Sequence, residues 1–167
     1  GETEPKRNPN VPRTPEAITR DALRCLDVGA TLIHAHSDDV RLTGAEAAER
    51  YLAAWRPVLA ERPDALWYPT VAAAHIGESS LEHIELIARE IPVAMAVVDP
   101  GSTNFGSPDS EGIPVGFVYA NDYDRIRTSL AFCERLHLAP SLAIYEPGFL
   151  QTVLAYHHAG RLPRGSM

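Results

Sequence analysis

The sequence of 167 residues predicts an α/β fold built around a parallel β-sheet. Short apolar runs alternate with amphipathic segments of helical period along most of the chain. Most of the links between them are short, which favours right-handed crossovers between parallel strands. In addition, Gly, Ser, Asn and His residues gather at the carboxyl ends of the predicted strands, where α/β barrels and open α/β sheets both bind their ligands.

The helices are predicted from capping residues and from the period of their apolar positions. Thr14-Pro15-Glu16 is a favourable start, because the hydroxyl can accept from an unpaired N–H, Pro fits the first helical position and Glu complements the helix dipole. Thr43 and Glu46 have the spacing of a capping box. The predicted helices run from Thr14 to about Val28 with Gly29 after it, from Thr43 to Pro63, from about Ser79 to Glu90, from Asn121 or Asp122 to about Leu138, and from Phe149 to Ala159.

Four main strands are predicted between these helices: Ala30–His36, Leu66–Thr70, Val93–Val98 and Leu142–Tyr145. A loop from Asp99 to Pro114 and a short extended piece, Gly116–Tyr119, interrupt the alternation. The first helix has no strand before it. A complete (β/α)8 barrel takes about 250 residues, so we expect residues 1–167 to form a partial TIM-barrel domain of about the first five βα units, with the first strand and the last three strands absent. An open four-stranded sheet is the alternative.

Composition excludes several classes of function. The 15 Lys and Arg residues against 22 Asp and Glu give a net charge of −7, without a basic cluster that could bind nucleic acid or an anionic membrane. No apolar run approaches the roughly 20 residues of a membrane span, and the first ten residues have no signal-peptide core. Cys25 and Cys133 lie in predicted helices without paired spacing, which indicates two buried thiols in a reducing compartment and hence a cytoplasmic protein.

His34-Ala35-His36 is the sharpest local motif. Side chains alternate along a strand, so both imidazoles project from the same face near its carboxyl end. Two neutral imidazoles placed in this way suit Zn²⁺ or a similar divalent ion, and the carboxylates of Asp38 and Asp39 could orient them. The alternative is two polar residues hydrogen-bonded at a strand end. A catalytic site would also need a third protein ligand.

The other histidines are weaker candidates for that ligand. His75 follows a strand end and could face the site. His83 and His137 fall in helix patterns, as do His157 and His158, and we expect them to be solvated or to interact with helix carboxyl termini.

Polar residues at other strand ends are candidates for substrate contacts. The turn from Gly101 to Gly106 offers hydroxyls, an amide and backbone N–H groups that can hold a carbonyl or carboxylate oxygen, although such residues also favour ordinary turns. Thr70 ends one strand and Glu146 follows another, while Glu2 would follow a strand preceding Gly1.

Taken in order, these features resemble the β-keto acid cleavage enzymes, a family that includes 3-keto-5-aminohexanoate cleavage enzyme. The matching residues are Gly1-Glu2-Thr3, Asn8-Pro9, Thr14-Pro15-Glu16, Gly29-Ala30, His34-Ala35-His36, Gly101-Ser102-Thr103-Asn104-Phe105-Gly106 and Tyr145-Glu146-Pro147-Gly148. The resemblance implies a (β/α)8 barrel and an acyltransferase that converts a β-keto acid and acetyl-CoA into acetoacetate and a new acyl-CoA. We also expect the protein to form a homo-oligomer.

The resemblance implies roles for particular residues. His34 and His36 would bind a catalytic divalent ion, usually Zn²⁺, together with a glutamate on the family's last strand, which we expect beyond Met167. Ser102 and Asn104 would lie near the substrate. Further polar substrate contacts are expected from Glu2, Thr70 and Glu146.

The chain also departs from the family pattern. Many members carry glutamates on the fifth strand where this chain has Ser141 and Ala143, which favours a different keto acid. A metal-dependent amidohydrolase barrel, which also uses an H-x-H strand, is the runner-up among enzymes. The alternative outside catalysis is an inactive barrel fragment that acts only by association through open strand edges.

Overall fold

The computed structural model describes residue 6 and residues 8–72 and 80–167. The chain divides into two compact units, residues 1–96 and 97–167, which we call the first and the second unit. The described elements are, in order, α1 (Pro15–Asp27), β1 (Leu32–Ala35), α2 (Gly44–Glu61), β2 (Leu66–Pro69), α3 (Glu82–Ala88), β3 (Met95–Val98), β4 (Thr103–Pro108), β5 (Pro114–Tyr119), α4 (Tyr123–Leu136), β6 (Ala139–Leu142) and α5 (Pro147–His158). The alternation of helices and strands confirms the predicted α/β class. None of the helices described is both long and apolar enough to cross a membrane.

The sequence predicts side-chain caps at the amino ends of α1 and α2, and the structure shows only the first of them. At α1 the Thr14 hydroxyl accepts from the N–H of Ala17 at 3.2 Å, as predicted. The Thr43 side chain makes no such bond at α2, so the expected capping box is not formed. Instead, a Cβ placed on Gly44 would lie 3.1 Å from a carboxylate oxygen of Glu82. A carboxylate from a distant helix therefore complements the positive end of α2.

β1 and β2 pair in parallel, with His34 opposite Tyr68 and Ala35 opposite Pro69. The ladder continues beyond β2, where the N–H of Thr70 donates to the carbonyl of Ala35 at 3.1 Å. The two carboxyl ends therefore lie side by side, which brings the H-x-H motif next to Thr70.

The core of the first unit is built on two stacked tryptophans. Trp55 of α2 and Trp67 of β2 are both fully buried, and their ring centroids lie 4.2 Å apart at an interplanar angle of 9°. The Trp67 indole N–H donates to the carbonyl of Pro92 at 2.8 Å, which satisfies its polar atom. Aliphatic side chains of α1, α2 and α3 pack around the pair: Leu26, Leu52, Val58 and Ile87. This packing fixes α2 over the strands whose ends carry the polar residues.

In the second unit, residues predicted to be mainly loop form an antiparallel hairpin. β4 pairs with β5, with Phe105 opposite Phe117 and Gly106 opposite Gly116. The two glycines allow close backbone approach, since a Cβ on Gly106 would meet the carbonyl oxygen of Val115. Most of the hairpin is exposed. β5 contains the extended piece predicted at Gly116–Tyr119, whereas β4 lies in the predicted loop and has one large apolar residue, Phe105.

The strand before α5 lies three residues earlier than predicted, at Ala139–Leu142. His137 ends α4 in the left-handed conformation, with φ 55°, and the chain enters β6 two residues later. Met167 donates to the carbonyl of Pro140 at 3.0 Å, and the N–H of Leu142 donates to the carbonyl of Met167 at 2.8 Å. The residues after Leu142 lead instead to the start of α5.

The cysteine prediction is half correct. Cys133 is buried in α4, and burial raises the pKa of its thiol to about 12. Cys25 is exposed, contrary to prediction. It lies at the edge of the α1 face on which Ala22 and Leu26 are buried, so its helical spacing alone did not place it in the core. Both cysteines are free.

We expect Trp55→Ala to lower the free energy of unfolding of the first unit by about 3–5 kcal/mol, because it leaves a cavity beside Trp67. Val28→Ala is a matched control, since Val28 is 87% exposed and the change should alter stability by no more than about 0.5 kcal/mol. Urea denaturation followed by circular dichroism measures both. Equal stability of the two variants would contradict the assigned core.

Candidate functional site

The two imidazoles of the H-x-H motif converge at the carboxyl end of β1. The Nε2 atoms of His34 and His36 lie 3.1 Å apart, and the ring centroids lie 4.9 Å apart at an interplanar angle of 79°. The His34 ring also stacks on Tyr68 of β2, with centroids 4.6 Å apart. Both imidazoles thus lie on one face of the strand, as the alternation of side chains predicts.

The surroundings of these imidazoles favour their neutral form. Burial and the neighbouring His34 ring lower the pKa of His36 to about 4. His34 is exposed as a whole residue, but partial burial of its ring also lowers its pKa, although a hydrogen bond with the backbone of Tyr68 opposes that shift. A neutral imidazole offers a nitrogen lone pair at neutral pH, which is the form that binds metals.

The expected roles of Asp38 and Asp39 are wrong. Asp39 forms a bidentate ion pair with Arg41, and the shorter of its two N–O distances is 2.7 Å. This pairing lowers the pKa of Asp39 to about 2. Asp38 forms an ion pair with Arg50 at 3.3 Å. Each carboxylate therefore faces a guanidinium. The Nδ1 atom of His36 is buried and has no hydrogen-bond partner among the described residues.

Thr70 lies beside this motif, and its backbone is held from two sides. Its N–H donates to the carbonyl of Ala35, and its own carbonyl accepts from Nε2 of His83 at 2.8 Å. His83 is only 1% exposed, which corrects the expectation of a solvated helix residue. A signal for its burial was present, because His83 lies four residues before Ile87 and so shares its helix face.

In the second unit, the side chains at the carboxyl ends of β3 and β6 form another polar group. The hydroxyl of Thr103 donates to a carboxylate oxygen of Glu146 at 3.2 Å. The Ser102 hydroxyl accepts from the backbone N–H of Asn121 at 2.8 Å, and the Asn121 side-chain amide donates to the carbonyl of Gly101 at 3.1 Å. Asn121 therefore braces the predicted substrate turn. Asp122 caps α4, since its carboxylate accepts from the N–H of Arg125 at 2.8 Å.

The predicted residues of this turn differ in their surroundings. Ser102 and Asn104 are both exposed. Asn104 lies in β4 opposite Val118, whereas Ser102 precedes the strand. Glu146 occupies the N-cap position of α5 without a side-chain cap bond, so its carboxylate is engaged by Thr103 instead.

Asp99 and Tyr119 belong to the same polar group and were not predicted. The Tyr119 hydroxyl donates to one oxygen of Asp99 at 2.5 Å. The other oxygen is buried and has no hydrogen-bond partner among the residues that the structure describes. Burial raises the pKa of Asp99, and burial together with the Asp99 charge raises that of Tyr145. The position of Asp99 directly after an apolar strand was the available signal.

Two of the sequence-predicted candidates, Glu2 and His75, lie outside the described residues. Among residues 6, 8–72 and 80–167, no group of three or more His, Cys, Asp or Glu side chains is arranged to hold a metal ion. The predicted residues thus fall into two groups. His34, His36 and Thr70 belong to the first unit, while Ser102, Asn104 and Glu146 belong to the second.

Comparison with known proteins identifies a family and a fold. Residues 1–167 match the family model described as beta-keto acid cleavage enzyme. The 3-keto-5-aminohexanoate cleavage enzyme of Fusobacterium nucleatum subsp. nucleatum is 24% identical over 155 residues, which cover 93% of this chain and 53% of the relative. That of Acetoanaerobium sticklandii is 24% identical over 156 residues, covering 91% and 56%. The chain therefore spans about half the length of the curated relatives it matches.

Solved structures of ObcA share the fold. The apo structure matches with a TM-score of 0.66 at 18% identity, covering 92% of this chain and 34% of ObcA. The binary complex with oxaloacetate has a TM-score of 0.66 at 17% identity, covering 92% and 35%. The ternary complex with a C4-CoA adduct and oxalate has a TM-score of 0.62 at 17% identity, with the same coverage. The ObcA chain, like the curated relatives, is longer than the part matched.

We expect the first unit to lose stability as the pH falls below about 6.5. Burial lowers the pKa of His83 in the folded chain, so the unfolded chain takes up a proton first and is favoured at lower pH. The stability that the neutral His83 contributes is fully present above the pKa that this histidine has in the unfolded chain. His83→Gln, which retains an N–H donor without an ionisable ring, should reduce the slope of stability against pH.

Urea denaturation followed by tryptophan fluorescence measures this, because both tryptophans lie in the core of the first unit. His158→Gln serves as control, since His158 is exposed in the last turn of α5. The same slope in wild type and His83→Gln between pH 5 and about 6.5 would contradict the assignment of His83 as a buried neutral imidazole.

Proposed function

Because the chain belongs to the beta-keto acid cleavage enzyme family, we propose that the protein condenses a β-keto acid with acetyl-CoA to give acetoacetate and a new acyl-CoA. The observation that carries the proposal is the convergence of the His34 and His36 Nε2 atoms, 3.1 Å apart at the carboxyl end of a parallel strand. The ObcA complexes support it, since one holds oxaloacetate, itself a β-keto acid, and another holds a CoA adduct. The family match favours this reaction over the amidohydrolase alternative.

We propose further that His34 and His36 hold Zn²⁺ or a similar divalent ion. Two nitrogens that each lie about 2.0–2.1 Å from one Zn²⁺ are at most about 4 Å apart, and the observed separation of 3.1 Å falls within that limit. The low pKa of His36 also suits ligation, because no proton has to be displaced near neutral pH. When bound, such an ion would polarise the keto oxygen of the substrate.

The chain's own residues would bind and orient the keto acid. In the first unit, Thr70 has both backbone groups in hydrogen bonds, so the point from which its hydroxyl can donate to a substrate oxygen is fixed. In the second unit, Asn104 is exposed, while the turn before it is braced by Asn121. Preorganised donors of this kind stabilise oxygen atoms on which negative charge develops. Ser102 and Glu146 are proposed as further substrate contacts.

The arrangement of the whole protein is also proposed. The parallel pairing of β1 with β2 and the fold likeness to ObcA support a (β/α)8 barrel to which this chain contributes several βα units. A homo-oligomer and a cytoplasmic location stay predictions.

We expect the chain to bind Zn²⁺ and His34→Ala or His36→Ala to weaken that binding at least tenfold. Loss of hydrogen-bond partners to a metal ligand already costs about 10–100-fold in affinity, so loss of a ligand should cost no less. Isothermal titration calorimetry with Zn²⁺ near neutral pH measures the dissociation constants. His158→Ala is the matched control, because it removes an exposed histidine from α5 and should bind as wild type. Equal weakening by all three variants would exclude a specific site.

We expect Asn104→Ala to lower kcat/KM for a β-keto acid roughly ten- to a hundredfold, because a hydrogen bond to a charged group contributes about 1.5–3 kcal/mol. Release of acetoacetate from the keto acid and acetyl-CoA is the measurement. Gln151→Ala removes an exposed amide from α5 and should leave the rate unchanged. A protein that forms no acetoacetate from any β-keto acid offered would contradict the proposed reaction.

A further inference from the structure

A buried pair of polar aromatic residues lies behind the carboxyl ends of β1 and β2. Tyr51 of α2 is 3% exposed and His83 of α3 is 1% exposed. Their rings stack, with centroids 5.7 Å apart and an interplanar angle of 17°. Neither residue has been assigned a role in the proposed reaction.

The polar atoms of this pair contact the backbone at the ends of both strands. The Tyr51 hydroxyl donates to the carbonyl of Ala35 at 3.4 Å. Ala35 is the residue between the two histidines of the motif in the sequence. From the other ring, Nε2 of His83 donates to the carbonyl of Thr70 at 2.8 Å. One stacked pair therefore connects the peptide groups next to His34, His36 and Thr70.

Packing alone does not account for these side chains. Burying a hydroxyl or an imidazole costs free energy unless its polar atoms are hydrogen-bonded, whereas Phe or Leu would fill similar space without that cost. The Nδ1 atom of His83 is indeed buried without a partner among the described residues. The hydrogen bonds that the pair does make are directed at the strand ends.

We propose that Tyr51 and His83 are positioning residues: Tyr51 holds the backbone that sets the spacing of the two imidazole nitrogens, and His83 holds the backbone from which Thr70 reaches the substrate. This proposal rests on the proposed function, in which His34 and His36 bind a divalent ion and Thr70 binds the keto acid. The two residues act at different points. Tyr51 controls metal affinity, and His83 controls the binding of substrate.

The test separates these two effects with conservative variants. Tyr51→Phe removes one hydroxyl and should weaken Zn²⁺ binding at least fivefold in calorimetry. His83→Leu removes the donor to Thr70 and should raise KM for the keto acid at least fivefold, with Zn²⁺ affinity within twofold of wild type. His83→Gln retains an N–H near the position of Nε2 and should restore most of the KM.

Trp55→Phe is the matched control. Trp55 lies one turn after Tyr51 in α2, is fully buried and stacks on Trp67, and its indole nitrogen has no hydrogen-bond partner among the described residues. Its loss should destabilise the first unit and leave both Zn²⁺ affinity and KM unchanged in the folded protein. A role of Tyr51 in stability alone would make Tyr51→Phe behave like this control, and that result would overturn the proposal.

A metal-free readout keeps the test independent of the proposed function. The N–H of Thr70 donates to Ala35, so its hydrogen exchange reports how firmly the two strand ends are held together. Tyr51→Phe and His83→Leu should each accelerate this exchange at least tenfold more than Trp55→Phe does. If the wild-type chain binds no Zn²⁺, the metal hypothesis fails while the exchange still decides the positioning role. Unchanged exchange at Thr70 in both variants would overturn it.

Discussion

The backbone hydrogen bond from Thr70 to Ala35, 3.1 Å long, is the contact on which the candidate site of the first unit depends. Because side chains alternate along a strand, slipping the pairing by one residue would turn the imidazoles towards the opposite face. The observed register places Tyr68 directly opposite His34, so that its ring supports the imidazole. The geometry of the motif is thus a property of two paired strands, and the histidines alone do not determine it.

Elements with local signals could be predicted from the sequence, whereas those that depend on distant residues could not. Thr14 and the cap of α4 bond to an N–H three residues away, so residue type and spacing were sufficient there. The first turn of α2 meets the carboxylate of Glu82, which no capping pattern near Thr43 could reveal. The pairing of β4 with β5 was not predicted, because β4 has no apolar alternation, although β5 contains the extended piece predicted at Gly116–Tyr119.

The candidate site shows the same division. Strand alternation predicted that His34 and His36 lie on one face of β1. The distance of 3.1 Å between their Nε2 atoms agrees with that prediction. The surroundings of those rings could not be predicted. Asp39 forms an ion pair with Arg41 and not with an imidazole, and this pairing depends on the path of the loop. Tyr51 lies within the predicted helix from Thr43 to Pro63, where no local sequence signal distinguishes it. Its contact with Ala35 requires knowledge of which helix covers which strand.

The two cysteines give this chain a built-in means of following its own motions. Cys25 is exposed on α1, whereas Cys133 is buried in α4 with the pKa of its thiol raised to about 12. Because the thiolate is the reactive form, an alkylating reagent near neutral pH modifies Cys25 in the folded chain and reaches Cys133 when the surrounding helix opens. The extent of Cys25 modification thereby measures the amount of protein, and the rate of Cys133 modification measures how often the second unit opens.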